Sequence, residues 1–553
     1  MMRYLGTSCP SAKVVMAVVA VLLVAVAAAA ERPGTWAAKA DLPNGLYVSA
    51  SAEVNGIIYT LGGALRTEAV DTVLAYDPVT DVWSEKAPMP TARLGAAAAV
   101  VDNRVYVFGG SLHVEQDSVI SAVEMYDPAT DSWEGRSDMP TAFWGSAAVA
   151  VDGLIYVIGG GTGSVYGDYN AFGTVQVYDP TADSWDTAAD MPTARCTVGA
   201  SVMNGMIFAA GGAEEYRASR ALEVYLPDTD EWIIGADMPR NRDWHTTAAI
   251  DGKLYALGGL AWGGGIELKI IPEIDVYHPQ SNLWHTTGRM PEQRFGLGAA
   301  VVDDTVFLVG GAERLDLWGG TDHLDTYDPD LHTVWTEVAA HFSGAHGSHW
   351  RTDVCAANLN SEVANVDLVL HTETSTIRQS HTIPPSAQKA FHDVVGELGI
   401  NGKGLLQITS DQALKVAGRT FNNGGDGTFG QFCHFETRDD GFFKGDHDVF
   451  LIGLRQEEGL FRTNLIFANT GIRKAALYVT LYRCSGDGLG TFIVKLDPGQ
   501  IEQRLEVFAN EGASPNVGWG FARVMVADGA GIRISASVID SRTNDATTIV
   551  AQR

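Results

Sequence analysis

Basic side chains are scarce in this chain: 38 Lys and Arg stand against 67 Asp and Glu, a formal charge of −29, and nowhere do they gather into a run. A nucleic-acid backbone or an anionic membrane surface would be repelled by that charge, so neither is expected as a partner. Cysteine is almost absent, five in 553 residues. Cys196, Cys355, Cys433 and Cys484 show no C-x-x-C spacing, which removes the usual zinc site and leaves room for one disulfide among the last three, its pairing undecided. Beyond residue 30 no stretch could cross a bilayer as a helix. Also missing are a G-x-S-x-G nucleophile elbow, an H-E-x-x-H zinc motif and a G-x-G-x-x-G turn in a strand-to-helix setting. No cofactor and no metal are expected.

The one long apolar run lies at the start. Arg3 and Lys13 precede Val14 to Ala30, which ends in small residues before Glu31. That is the layout of a secretory signal over 1–30, cleaved near Ala28 to Ala30. It predicts an extracellular or periplasmic protein with no membrane insertion after removal of the signal.

What is abundant is glycine, and it recurs with a period near fifty residues. Gly-Gly pairs end at Gly63, Gly110, Gly160, Gly212, Gly259 and Gly311. Each is followed by a tyrosine two residues before a proline (Tyr76, Tyr126, Tyr178, Tyr225, Tyr277, Tyr327) and then a tryptophan (Trp83, Trp133, Trp185, Trp232, Trp284, Trp335). In each copy a first run of Ala, Gly, Ser and Val precedes a bulkier second run, with a tight link such as Asn55-Gly56 or Asp152-Gly153 between them. Four strand-like runs per copy mean a circular or stacked array.

This pattern resembles the kelch repeat, across the middle three-fifths of the chain. The resemblance implies an all-β fold in which each copy is one four-stranded blade, giving a six-bladed β-propeller over 31–342. Small residues then belong on the innermost strand and the tyrosines and tryptophans between blades. Seven tryptophan segments compete for six outer strands, so either the Trp36 or the Trp335 segment completes the last blade.

After His341 a longer duplication begins. Trp350-Arg-Thr-Asp353 with Asn358 answers Phe461-Arg-Thr-Asn464 with Asn469, and Ile383-Pro-Pro385 answers Leu496-Asp-Pro498. Two β-sandwich modules of immunoglobulin-like size are expected, at 343–440 and 441–553. They resemble the tandem modules appended to bacterial secreted proteins. Asn422 to Gly427 lacks the alternating acidic ligands of a calcium loop and reads as a hairpin turn.

With four alternating strands per blade, both sets of short turns share one face, and the variable loops share the other. At the mouth of the inner strands on that loop face stand Arg93, Arg195, Arg242 and Arg294, with Phe143 and Leu46 in the remaining copies. Four guanidinium groups around one channel mouth would make an anion site. Tyr166, Tyr169, Trp262 and Trp318 on the loops offer aromatic faces on which sugar rings stack. Copper chemistry of the galactose-oxidase-like kelch enzymes is not expected, because His245, His349 and Cys196 are scattered. The chain thus reads as a secreted, non-catalytic binding protein whose loop face takes a glycan or protein partner. The alternative is a sugar-acid epimerase: Glu214 and Arg220 are spaced like the glutamate and arginine of periplasmic N-acetylneuraminate epimerase, which they resemble.

Overall fold

Each copy of the repeat folds as one antiparallel sheet, and six four-stranded sheets follow one another. In this computed structural model the described residues are 34–550, apart from 166–168, 215–216, 263–267, 315–318, 344–348, 373–374, 425–426, 434–448, 457–460, 484, 486, 513–516 and 541–545. The expected signal segment lies outside them. Among the described residues helix is confined to Val394–Glu397 and Val507–Asn510, and no helix is long and apolar enough to cross a membrane.

The first strands of the six sheets are Ala50–Val54, Ala97–Val101, Ala147–Val151, Gly199–Met203, Thr246–Ile250 and Gly298–Val302. Each neighbours the next, and the last lies against the first, so they form a closed circle. Their Ala, Gly, Ser and Val content lets six backbones approach one axis. The hairpin to the second strand turns on residues of positive φ, such as Asn55 at 53° and Gly56 at 80°, which is why Asn, Asp and Gly fill these positions. At the other end of the second strand the Gly-Gly pair is required by crowding. A Cβ on Gly109 would lie 2.4 Å from the carbonyl oxygen of Phe143 in the link to the next sheet.

Tyrosine and tryptophan lock neighbouring sheets together by one device. Tyr126 Oη donates to Asp131 Oδ1 at 2.7 Å, Asp131 accepts the amide of Ala87 at 2.8 Å, and Trp133 Nε1 donates to the carbonyl of Ala87 at 2.8 Å. Ala87 lies in the segment leaving the preceding sheet, so two side chains hold both polar groups of one residue. The same arrangement recurs with Tyr76, Asp81 and Trp83 on Ala40, and with Tyr178, Asp183 and Trp185 on Ser137.

The competition between the two tryptophan segments is resolved at the N-terminus. Thr35–Ala38 pairs with Leu324–Asp328, Trp36 standing opposite Tyr327 as Trp133 stands opposite Tyr126. Trp335 lies instead in His332–Ser343, which pairs with Gly402–Ser410. The region beyond the repeat therefore starts at that strand, some ten residues earlier than the sequence pattern marks.

That region contains the same strand arrangement twice. In the first copy, in order of pairing, Thr376–Ile383, Ala364–His371, Gly402–Ser410 and His332–Ser343 form one layer, and Ala387–Phe391, His349–Asn358, Leu414–Gly424 and Gly427–Cys433 the other. In the second, Gly488–Leu496, Ala475–Arg483, Gly518–Asp528 and Val449–Gln456 form one sheet, and Ile501–Arg504, Phe461–Asn469, Ile532–Asp540 and Ala546–Val550 the other. Each copy encloses its own apolar core, around Leu368 and Ile408 in the first and Leu477 and Val524 in the second. Asn358 Nδ2 donates to the carbonyls of Glu362 and Ile383, and Asn469 Nδ2 to those of Arg473 and Leu496. Leu414–Gly424 and Gly427–Cys433 pair as a hairpin around the Asn422 to Gly427 segment. Cys196 and Cys355 are unpaired, and Cys484 lies outside the described residues.

Candidate functional site

The four arginines that the sequence places at an open channel mouth are fully buried. Arg93 Nη1 donates to the carbonyls of Gly109 and Ala122, while Nη2 meets Glu124 at 2.7 Å. Its own carbonyl accepts the amide of Gly63 in the preceding sheet at 2.9 Å. Arg195 pairs with Glu223 at 2.8 Å, Arg242 with Asp275 at 2.7 Å and Arg294 with Asp325 at 2.6 Å. Each arginine thus joins one sheet's glycine pair to the third strand of the next. The expectation of an exposed anion site is corrected, because a guanidinium this deep must have its charge compensated, and an acidic side chain already does so.

The axis at the loop end is also closed. Val48, Gly95, Gly145, Thr197, Trp244 and Gly296, two residues after the arginine position, all have φ between 50° and 61°. Backbone hydrogen bonds join them around the axis, from Gly296 to Trp244 at 2.8 Å, Val48 to Gly296 at 2.7 Å, Gly95 to Val48 at 2.9 Å and Gly145 to Gly95 at 2.8 Å. Val, Thr and Trp rarely adopt this left-handed backbone, and here the ring imposes it. One residue earlier, Tyr47, Leu94, Trp144, Cys196 and Phe295 belong to an apolar cluster that plugs the end. Trp144 stacks on Trp244 at 5.8 Å.

Asp243 takes the sixth position of that plug. Its carboxylate accepts a hydrogen bond from Thr197 Oγ1. Burial raises its pKa to about 7, the bonds from Thr197 and the Trp244 amide opposing the rise.

Of the loop residues, Tyr169 packs edge-on against Trp144 at 5.5 Å and is half-buried. Tyr166 and Trp318 lie outside the described residues, as does the side chain of Trp262, whose backbone closes the short strand Leu260–Trp262. Four of the six loops are two-stranded ribbons and not irregular crests, for example Gly161–Gly163 with Tyr169–Ala171. Glu214 and Arg220 are directed to different partners: Glu214 accepts from Ser219 Oγ at 2.7 Å, and Arg220 Nε meets Asp237 at 3.1 Å.

Near the seam where Thr35–Ala38 closes the circle, Glu292, Glu313 and His323 come within metal-binding distance of one another. His323 Nδ1 lies 2.5 Å from Glu292 and 3.2 Å from Glu313. Burial works against the charge on the imidazole, but the two carboxylates outweigh it and raise its pKa to about 9. Arg473 of the second C-terminal copy adds a further cation, 2.9 Å from Asp325, 3.0 Å from Asp41 and 3.7 Å from Glu292.

Comparison with known proteins agrees with the repeat geometry. The family model described as the KLHDC2/KLHL20/DRC7 Kelch-repeats domain matches residues 48–259 and 145–366, together more than half of the chain. The chain belongs to the kelch-repeat family. Among solved structures, one titled "Structure of YjhT" is 18% identical, with a TM-score of 0.46, covering 51% of this chain and 95% of that one. No curated protein matches.

The acidic partners of the kelch arginines were readable in the sequence. They stand two residues before the repeat tyrosine: Glu124, Glu223, Asp275 and Asp325. Where the arginine is replaced, so is the acid, with Gln176 accompanying Phe143 and Leu74 accompanying Leu46. Asp243 carries no comparable signal, because nothing along the chain marks it as the polar member of an apolar plug.

Proposed function

We propose that the chain is a secreted binding protein: a closed six-bladed kelch propeller whose loop face takes a glycan or protein partner, carried on two immunoglobulin-like sandwich modules. The sealed loop end of the axis supports this reading. With the arginines internally paired and the plug buried, recognition falls to the loops between second and third strands, in whose sequence Tyr166, Tyr169, Trp262 and Trp318 stand. Aromatic residues on loops presented by a stable scaffold suit recognition without chemistry.

A glycan array with the full chain and a Trp262→Ala/Trp318→Ala variant tests the proposal. Binding weakened at least about tenfold in the variant, the loss expected for two aromatic anchors, supports it. Equal binding by both proteins would move the site off these loops, and an array without signal would turn the reading toward a protein partner. The sugar-acid epimerase is separated by following exchange of N-acetylneuraminate anomers by NMR. Acceleration that Glu214→Gln abolishes would replace the binding reading with catalysis.

A further inference from the structure

Glu292, Glu313 and His323 converge from three separate segments of the sixth sheet. Glu292 lies in the Met290-Pro291 link that enters the first strand, Glu313 stands two residues after the glycine pair, and His323 immediately precedes the third strand, Leu324–Asp328. Being scattered along the chain, they form no contiguous metal motif. The other five sheets carry at most one acidic residue at these three positions, Glu214 in the fourth and Glu273 in the fifth, and no histidine. The repeat therefore folds without the set.

Ligand atoms of the three lie within 4.8 Å of one another. Glu292 Oε2, Glu313 Oε1 and His323 Nδ1 are inaccessible to solvent and make no directed hydrogen bond among the described residues. Polar atoms placed in this way need a partner. The 3.2 Å between Nδ1 and Glu313 matches the roughly 3.3 Å between ligands of a tetrahedral ion with bonds of about 2.1 Å. Glu292, at 2.5 Å, has to turn slightly outward.

Each of the three also has an outer partner. Asp322 Oδ1 lies 3.8 Å from His323 Nε2, on the other side of the ring, where it favours the N–H and leaves the lone pair on Nδ1. The Thr321 hydroxyl donates to Glu313 and accepts the amide of His323 at 3.4 Å. Arg473 Nε stands 3.7 Å from Glu292. Partners of this kind orient the ligands of a metal. The charges balance as well: Arg294 and Arg473 are matched by Asp325 and Asp41, which leaves two glutamates for a divalent ion.

We propose that Glu292, Glu313 and Nδ1 of His323 bind one divalent transition ion of zinc's class, with a coordination position left to solvent. One nitrogen and two carboxylates suit zinc or cobalt and offer calcium too few oxygens. The ion displaces the proton from Nδ1, because a ligating imidazole is neutral. It ties link, loop and third strand together in the sheet that Thr35–Ala38 completes.

Calorimetric titration of the chelator-treated full chain with zinc chloride, and with calcium chloride in parallel, tests the site. One zinc per chain, no calcium uptake and a higher melting temperature in zinc are expected. Glu313→Gln keeps the side chain's size and should weaken zinc at least about a hundredfold. Asp322 is exposed, so Asp322→Asn should fold normally and weaken zinc about tenfold through the imidazole alone. Calcium bound as tightly as zinc, no stoichiometric zinc uptake by the wild type, or zinc affinity unchanged in either variant would overturn the proposal.

Discussion

The kelch ring and the duplicated C-terminal region each fix a crossing segment with one buried polar side chain, charged in the ring and neutral in the region beyond. In the ring an arginine reaches the carbonyls of the next sheet and needs an acid beside it, as Arg93 needs Glu124. In the C-terminal copies an asparagine donates to carbonyls alone, as Asn358 and Asn469 do. A buried charge obliges a second position to change with it, whereas an amide is satisfied by backbone. This accounts for Phe143 occurring with Gln176 and Leu46 with Leu74, while the copies vary around an unchanged asparagine.

The comparison breaks most visibly at Arg93. Arg93→Leu alone leaves Glu124 buried without its counter-ion and should cost roughly 3–5 kcal/mol in urea unfolding. Adding Glu124→Leu reproduces the Leu46 and Leu74 pairing of the first sheet and should recover most of that loss. A double variant as unstable as the single one would show that the arginine acts through its carbonyl contacts and not through its charge.

Asp243 sharpens the contrast, being a carboxylate in the ring without a cation. Its folded pKa of about 7 lies above the ordinary value of 3.8. The stability it allows is therefore fully present below about pH 4 and lost as pH rises toward 7. Asp243→Asn should remove that slope and stabilise the protein at pH 8 by up to roughly 4 kcal/mol. Thermal melts across this range give the answer, and parallel curves for the two proteins would contradict it.

Smaller effects are expected from the neutral staple. Asn469→Ala or Asn358→Ala strands buried carbonyls and should cost roughly 1–3 kcal/mol, with no dependence on salt. The smallest effect belongs to the seam. His323 has its pKa raised from 6.5 to about 9, so its contribution is present below 6.5 and disappears as pH rises through 9. The stability gap between wild type and His323→Gln should be on the order of 1 kcal/mol at neutral pH, given partial solvent screening, and should close above pH 9.

Much of the fold could be read along the chain. The Gly-Gly pair, the repeat tyrosine and the tryptophan act on neighbours within about fifty residues, and the duplication announced Asn358 and Asn469 as equivalents. The candidate site was less legible. The arginines were visible, but whether they faced solvent depended on the third strand packed against them. Trp36 and Trp335 carry the same local pattern, and only the pairing of Thr35–Ala38 with Leu324–Asp328 separated them.

Sequence by itself determined the all-β class, the number of repeat sheets and the internal order of each, because hairpin turns, double glycines and alternation are local demands on φ, ψ and side-chain size. Tertiary structure alone decided which strand closes the circle, which end of the axis is sealed, and that Asp243 rather than an arginine is the unusual charge there. Those outcomes depend on what a side chain meets after distant segments have packed, and burial, not residue type, then sets its charge and its role.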